Sequence, residues 1–188
     1  ISERRLPQDG RMLATLRGQE IDLRVAISPA IHGETIVLRL LDRSHVALDL
    51  AGLGFEQVAQ TKLRTFAKMP NGIVLITGPT GSGKTTTLYA LLSEMNTDEV
   101  KIFTVEDPVE YRLDGITQLQ TSIATGLTFA KALRSILRHD PDIILIGEIR
   151  DRETMTSALS YALSGHLVLS TLHANNSYHA LSRIMSFY

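Results

Sequence analysis

The chain has 188 residues, of which 44% are hydrophobic and 21% charged, and a formal net charge of −1; this is a globular composition with room for one complete core and a smaller appendage. Near-neutral charge removes any general electrostatic case for nucleic-acid binding or a basic membrane patch, and the lack of cysteine excludes disulfides and thiolate metal sites within the chain. No apolar run approaches the about 20 residues that span a bilayer, and the charged opening "ISERRLPQDG" is no signal peptide.

The first residue is Ile, and "HALSRIMSFY" stops partway through a helical pattern, as expected of a piece of a longer protein. Residues 11–28 alternate apolar and polar around "GQE", which predicts a β-hairpin. "ETIVLRLLD" (34–42) predicts a third strand, joined through a "SPAIHG" loop. Residues 1–44 are therefore expected to be the C-terminal part of a small α+β N-terminal domain. "HVALDLAGLG" (45–54) is expected as a linker, before a helix from Phe55 to about Lys68. From Gly72 onward, apolar strands are predicted at 73–77, 102–105, 143–146 and 167–169. Helices are predicted between them, at 84–95, 129–139, 152–163 and from 177. Continuous apolar strands separated by helices imply an α/β domain over 55–188, with a mostly parallel sheet covered on both faces.

"GPTGSGKT" (78–85) matches G-x-x-x-x-G-K-[ST] between a predicted strand and a predicted helix, the context in which that pattern binds a nucleoside triphosphate. Glycines let backbone N–H groups turn inward, and the helix N-terminus adds positive potential. Lys84 is expected to reach the β- and γ-phosphates, and Thr85 to bind Mg²⁺. The absence of an Asn-Lys-x-Asp run favours ATP over GTP.

Two strands end in acids. In "DIILIGEIRD" (142–151), Gly147 stands where many phosphate-loop proteins carry an Asp, and Glu148 follows. Glu148 must then serve the metal, the water, or both. "FTVEDPVEY" (103–111) places Glu106 and Asp107 at another strand end, with Pro108 stopping the ladder. A carboxylate there could hold Mg²⁺ through water, or act as general base within about 3 Å of the attacking water. The division of labour between Glu106 and Glu148 stays open at this stage.

"GPTGSGKTTTLYALL", "TVEDPVEY", "DPDIILIGEIRDRET" and "SGHLVLSTLHANN" resemble, in order and spacing, the Walker A, Asp box, Walker B and His box of the secretion ATPases that power type II secretion and type IV pilus assembly. "RLPQDGRM…IDLRVAISPAIHGETIVLRLLD" resembles the end of the second N-terminal domain of that family. The resemblance implies a RecA-like P-loop domain and a flexibly linked N-terminal domain, with ATP sites between the two. It implies a homo-hexameric ring at the cytoplasmic face of the bacterial inner membrane, working on membrane platform proteins and not on nucleic acid. It also implies nucleotide contacts from Gly78, Pro79, Thr80, Gly81, Ser82, Gly83, Lys84, Thr85 and Thr86, and from Arg24, Arg39, Arg134, Arg138 and Arg150. Metal contacts are assigned to Thr85, Glu148 and Asp107, and catalytic roles to Glu148, Glu106, Lys84 and His173. Arg134 and Arg138, four residues apart, fall on one predicted helix face and can act together.

His166 and His173 lie seven apart in "SGHLVLSTLHANN". H-x₆-H with no cysteine and no third ligand is not a zinc signature. An odd interval puts them on opposite faces of an unbroken strand. His173, just past the strand, suits a sensor of the γ-phosphate or attacking water, with Thr171 beside it, and its release would couple hydrolysis to movement. His166 is as well explained by a structural hydrogen bond, and His32, His45, His139 and His179 by ordinary surface or core positions. The function expected is Mg-dependent ATP hydrolysis driving secretion or pilus assembly and retraction. The alternatives are a nucleic-acid or conjugation-type motor, which 5% aromatic content does little to support, and a module that binds ATP without hydrolysing it.

Overall fold

Alternation of apolar and polar residues produces three antiparallel strands: β1 (Gln8–Leu16), β2 (Gln19–Ala30) and β3 (Gly33–Leu41), in the order β1-β2-β3. The computed structural model describes residues 3–16, 19–41, 49–122 and 124–188. Gly18 of the expected hairpin turn, Asp42 at the end of the expected third strand, His45 and the first half of the expected linker lie outside them. The chain divides into two compact units, Ile1–Val46 and Ala47–Tyr188.

In the first unit, β2 continues through Ser28, Pro29 and Ala30, which pair with Thr35, Glu34 and Gly33. These residues belong to the expected "SPAIHG" loop, and Pro usually ends a ladder. Here β1 reaches only as far as Ile27, so beyond it β2 has a free edge, where the missing N–H of Pro29 costs nothing. Register then sorts the side chains by face. Met12, Leu23 and Leu40 are cross-strand partners on one face, and Arg11, Arg24 and Arg39 on the other.

The second unit begins with a turn at 49–54, part of the expected linker, whose Leu50 is fully buried against Ala90 and Leu91. Helix α1 (Gln57–Ala67) follows, then β4 (Gly72–Thr77), α2 (Lys84–Met95), β5 (Ile102–Glu106), β6 (Thr117–Gln120), α3 (Phe129–Ile136), β7 (Ile143–Ile146), α4 (Arg152–Leu163), β8 (Leu167–Leu172) and α5 (Ser177–Met185). The five strands pair in parallel in the order β4-β8-β7-β5-β6. The strand β6, "TQLQ", escaped sequence reasoning because two of its four residues are Gln; a short edge strand tolerates polar side chains. The helix expected over 129–139 narrows into a 3₁₀ turn at Leu137–His139.

Strand residues alternate between two cores. Ile144, Ile146, Phe103, Val105 and Val168 pack with Leu133 and Ile136 of α3 and Ala158 of α4. Ile143, Leu145, Ile102, Leu167 and Leu169 pack with Leu88, Tyr89 and Leu92 of α2. Ala90 and Leu91 meet a third cluster with Leu50 and partly buried side chains of α1. Helix α2 is thus buried between the sheet and an outer layer, which explains its continuous run of buried residues from Thr87 to Leu92. The α2 face of the sheet is also the face on which Ile102, Thr104 and Glu106 project, because side chains repeat every second residue.

Candidate active site

The phosphate loop forms where β4 ends and α2 begins. Gly83, the N-cap of α2, sits at φ 81° in the left-handed region that side chains other than glycine's adopt at a cost. The first turn of α2 therefore opens toward solvent with its unpaired N–H groups and the positive end of its dipole. Lys84 Nζ donates to Gly78 O (3.0 Å) and Pro79 O (2.8 Å), which leaves one of its three N–H donors for another acceptor. A cavity of about 370 Å³ is lined by Lys84, Thr85 and Thr86, by Thr80, Gly81 and Gly83 of the loop, and by the ends of three strands.

Glu106, at the end of β5, is only 3% exposed yet lines this cavity. Three donors hold it. Tyr89 Oη of α2 donates to Oε2, while Thr104 Oγ1 (2.6 Å) and Gln118 Nε2 (3.1 Å) donate to Oε1. Gln118 lies opposite Thr104 across the β5–β6 ladder. Its amide is itself fixed, donating to Tyr111 O (3.0 Å) and accepting from Leu113 N–H (2.8 Å). Burial first, and then the bond to Glu106, push the Tyr89 hydroxyl far above the ordinary phenol range, so it stays a donor at any working pH.

Glu148 follows β7 by two residues and is held differently. Arg150 Nη2 pairs with Glu148 Oε1, and His173 Nε2 lies 3.4 Å from Oε2. Arg150 also approaches Asp107 at 3.8 Å. The hydrogen bond to Glu148 holds the Arg150 guanidinium above its usual range. The Glu148 side chain is 16% exposed and that of His173 55%, so both face the cavity. Gly147, where a carboxylate was the common expectation, has a packing reason: a Cβ there would lie 3.2 Å from Val105 O and 3.3 Å from Glu106 Cα. Thr171 is 4% exposed and donates to Gly147 O (2.7 Å), so its hydroxyl ties β8 to the end of β7.

Lys84, Thr85, Thr86, Glu106, Asp107, Glu148 and His173 therefore share one cavity, with Arg150 joined to it through Glu148. Arg134 and Arg138 are not among its lining residues. Helix α3 ends before Arg138, and Arg134 Nη1 instead meets Glu153 at 3.2 Å. Arg24 and Arg39 belong to the smaller unit, where with Arg11 they form a cross-strand row of exposed guanidiniums. His166 takes the local role: its Nδ1 lies 3.0 Å from Ser164 Oγ and 3.1 Å from Tyr161 O. Neither histidine lies within β8, so opposite-face geometry does not apply to them.

Among the described residues no cluster of three His, Asp or Glu side chains could hold a metal ion by itself. That donor set fits Mg²⁺, which usually keeps water and substrate phosphate oxygens and takes only one or two protein groups.

The sequence profile of the family described as "Type II/IV secretion system protein" matches residues 1–187. The chain belongs to that family. Type II secretion system protein E of Xanthomonas campestris pv. campestris is 57% identical over 185 residues, covering 98% of this chain and 33% of that protein. Type II secretion system ATPase E of Vibrio cholerae serotype O1 is 50% identical over 184 residues, covering 98% of this chain and 37% of that protein. This chain thus spans roughly a third of the length of these curated relatives. Among solved structures, the pilus retraction motor PilT with bound ADP superposes with a TM-score of 0.81 at 33% identity, covering 98% of this chain and 52% of that one. The Legionella pneumophila ATPase DotB gives 0.78 at 29% identity, covering 97% and 52%. The expected RecA-like α/β architecture is the one this secretion-family chain shares with these two proteins.

Sequence reasoning missed Tyr89, Gln118 and Arg11. Tyr89 reads as one more apolar residue in "KTTTLYALLSEM", and only its hydroxyl hints at a polar partner inside. Gln118 sits in the strand that was not foreseen. The Arg11 signal depends on hairpin register, which aligns it with Arg24.

Proposed function

We propose that this chain carries the catalytic core of a motor that converts ATP and water to ADP and phosphate to drive type II secretion or type IV pilus assembly and retraction. One observation carries the reading. A complete phosphate loop at the start of α2 faces the same cavity as a carboxylate, Glu148, flanked by an arginine and a histidine. The relatives' names, secretion proteins and a pilus motor, favour this over a nucleic-acid motor.

In this reading, loop N–H groups and Lys84 neutralise the phosphates, and Thr85 holds Mg²⁺ with Glu148 or Asp107 through water. Bound Mg²⁺ would supply charge neutralisation at the β- and γ-phosphate oxygens. Glu148 takes the proton of the attacking water as general base, since it reaches the cavity and its partners can exchange. Glu106, closed in by donors, orients rather than accepts. Arg150 steers Glu148, and His173 reports the γ-phosphate by its contact with Glu148. Arg134 and Arg138 lie outside this chain's cavity and suit a neighbouring copy's nucleotide in a homo-hexameric ring.

For the smaller unit, Arg24 and Arg39, which the family resemblance assigns to nucleotide phosphates, stand exposed in a cross-strand row with Arg11. No helix among the described residues is long and apolar enough to cross a membrane; attachment at the cytoplasmic face of the inner membrane would run through platform proteins.

The test is phosphate release per subunit against protein concentration, with Lys84→Ala as the blank. Turnover should rise with concentration as copies assemble. A flat, substantial rate would remove the ring, and a rate unchanged in Lys84→Ala would remove the ATPase assignment.

A further inference from the structure

Tyr89 is fully buried, and nothing in the phosphate chemistry described so far uses it. A buried tyrosine needs a partner for its hydroxyl, and any backbone carbonyl would serve. Here the partner is instead the one carboxylate of the cavity that is shut away from water, Glu106. The same hydroxyl accepts from Glu110 N–H at 3.3 Å, which ties down the segment following β5. The ring of Tyr89 packs edge-on against Tyr111, with centroids 5.8 Å apart.

We propose that Tyr89 is the positioning residue for Glu106: reaching from α2, the helix that opens with the phosphate loop, it fixes the carboxylate in one orientation toward the phosphate cavity. The inference rests on the ATPase reading above and deepens it. A glutamate at a strand end has three free side-chain torsions, and catalytic groups must be held within about 0.5 Å of their productive place. Thr104 and Gln118 both donate to Oε1. They leave the carboxylate free to pivot about that atom, and Tyr89 on Oε2 closes the pivot. All three partners donate, which is what an acceptor-only group needs. Because Tyr89 lies five residues beyond Lys84 on α2, the carboxylate and the phosphate loop are referenced to one rigid element. Any displacement of that helix by nucleotide would carry both.

Tyr89→Phe in the full chain removes one oxygen and keeps the ring packing. The expected result is a kcat about 10-fold lower or more, with KM and the dissociation constant of a non-hydrolysable ATP analogue within about 2-fold of the parent. In a Glu106→Gln background, Tyr89→Phe should cost nothing further, because the two act as a unit. An unchanged kcat, or losses that multiply, would overturn the proposal. The crystal structure of Tyr89→Phe gives a readout free of turnover. A displaced Glu106 carboxylate supports positioning, and an unmoved one overturns it. If the parent chain shows no turnover at all, the ATPase reading fails and the crystal structure still decides whether Tyr89 positions Glu106.

Discussion

Two glutamates end neighbouring parallel strands and line one cavity, yet they are held in opposite ways. Glu106 is closed off from water and grasped by three neutral donors from α2, β5 and β6. Glu148 opens to the cavity between the charged Arg150 and His173. Neutral donors on rigid elements fix a geometry and do not respond to the charge that arrives. Arginine and histidine partners compete with an incoming phosphate and can be drawn away by it. In the proposed ATPase reading, one strand end would then act as a fixture and the other as a responsive group.

Exchanging each carboxylate for its amide breaks that comparison at its strongest point. Glu148→Gln should lower kcat by about 10²–10⁴-fold while thermal stability stays close to the parent's, because the partners it would leave, Arg150 and His173, are themselves well exposed and can turn to water. Glu106→Gln should also slow turnover, but its distinguishing cost is to the fold. The new NH₂ confronts hydroxyl or amide donors, and about 1–3 kcal/mol of stability is lost. Denaturant unfolding of both variants, beside their steady-state rates, checks the contrast. Equal stability losses would erase the distinction between fixture and responder.

The strand and helix pattern of the larger unit was readable because its apolar runs and its phosphate loop are local signals. β7, α2 and α4 occupy the residues that periodicity assigns to them. The departures each have a physical cause outside the local pattern. β6 is a polar edge strand, recognisable only once β5 supplies its partner. Pro29 can sit in β2 because β1 is too short to pair with it. The cavity was legible in outline, since strand ends in a parallel sheet collect near the phosphates. What holds each acid was not. The Tyr89 hydroxyl meets Glu106 only after α2 packs on the sheet, and the Arg150–Glu148 pair depends on the bend after β7.

The hydroxyl of Tyr89 gives a smaller and cleaner effect at high pH. Its folded pKa is raised above the unfolded value of about 10. Burial first, and then the bond to Glu106, disfavour the phenolate in the fold, so the linked stability is fully present below that pH and is lost as pH climbs above it. Melting temperatures of the parent and of Tyr89→Phe should keep a constant gap from neutral pH to about 9 and converge above about 10. A gap that holds through that range would mean that the fold does not keep the Tyr89 hydroxyl protonated.

The smallest effect belongs to an exposed Arg–Glu pair away from the cavity. Arg134 and Glu153 bridge α3 and α4 at 3.2 Å, but their side chains are 61% and 64% exposed. Water and salt screen both charges, and ordering two long side chains costs entropy. Their coupling in a double-mutant cycle of Arg134→Ala and Glu153→Ala should not exceed about 0.5 kcal/mol. It should shrink further as salt is raised. The Arg150–Glu148 pair has the same chemistry, yet one partner is largely shielded, so its loss should register in kcat at salt concentrations that silence the surface pair. A coupling above about 1 kcal/mol between Arg134 and Glu153 would show that exposure does not separate the two pairs. The responsive character assigned to Glu148 would then need a cause other than its place at the cavity's edge.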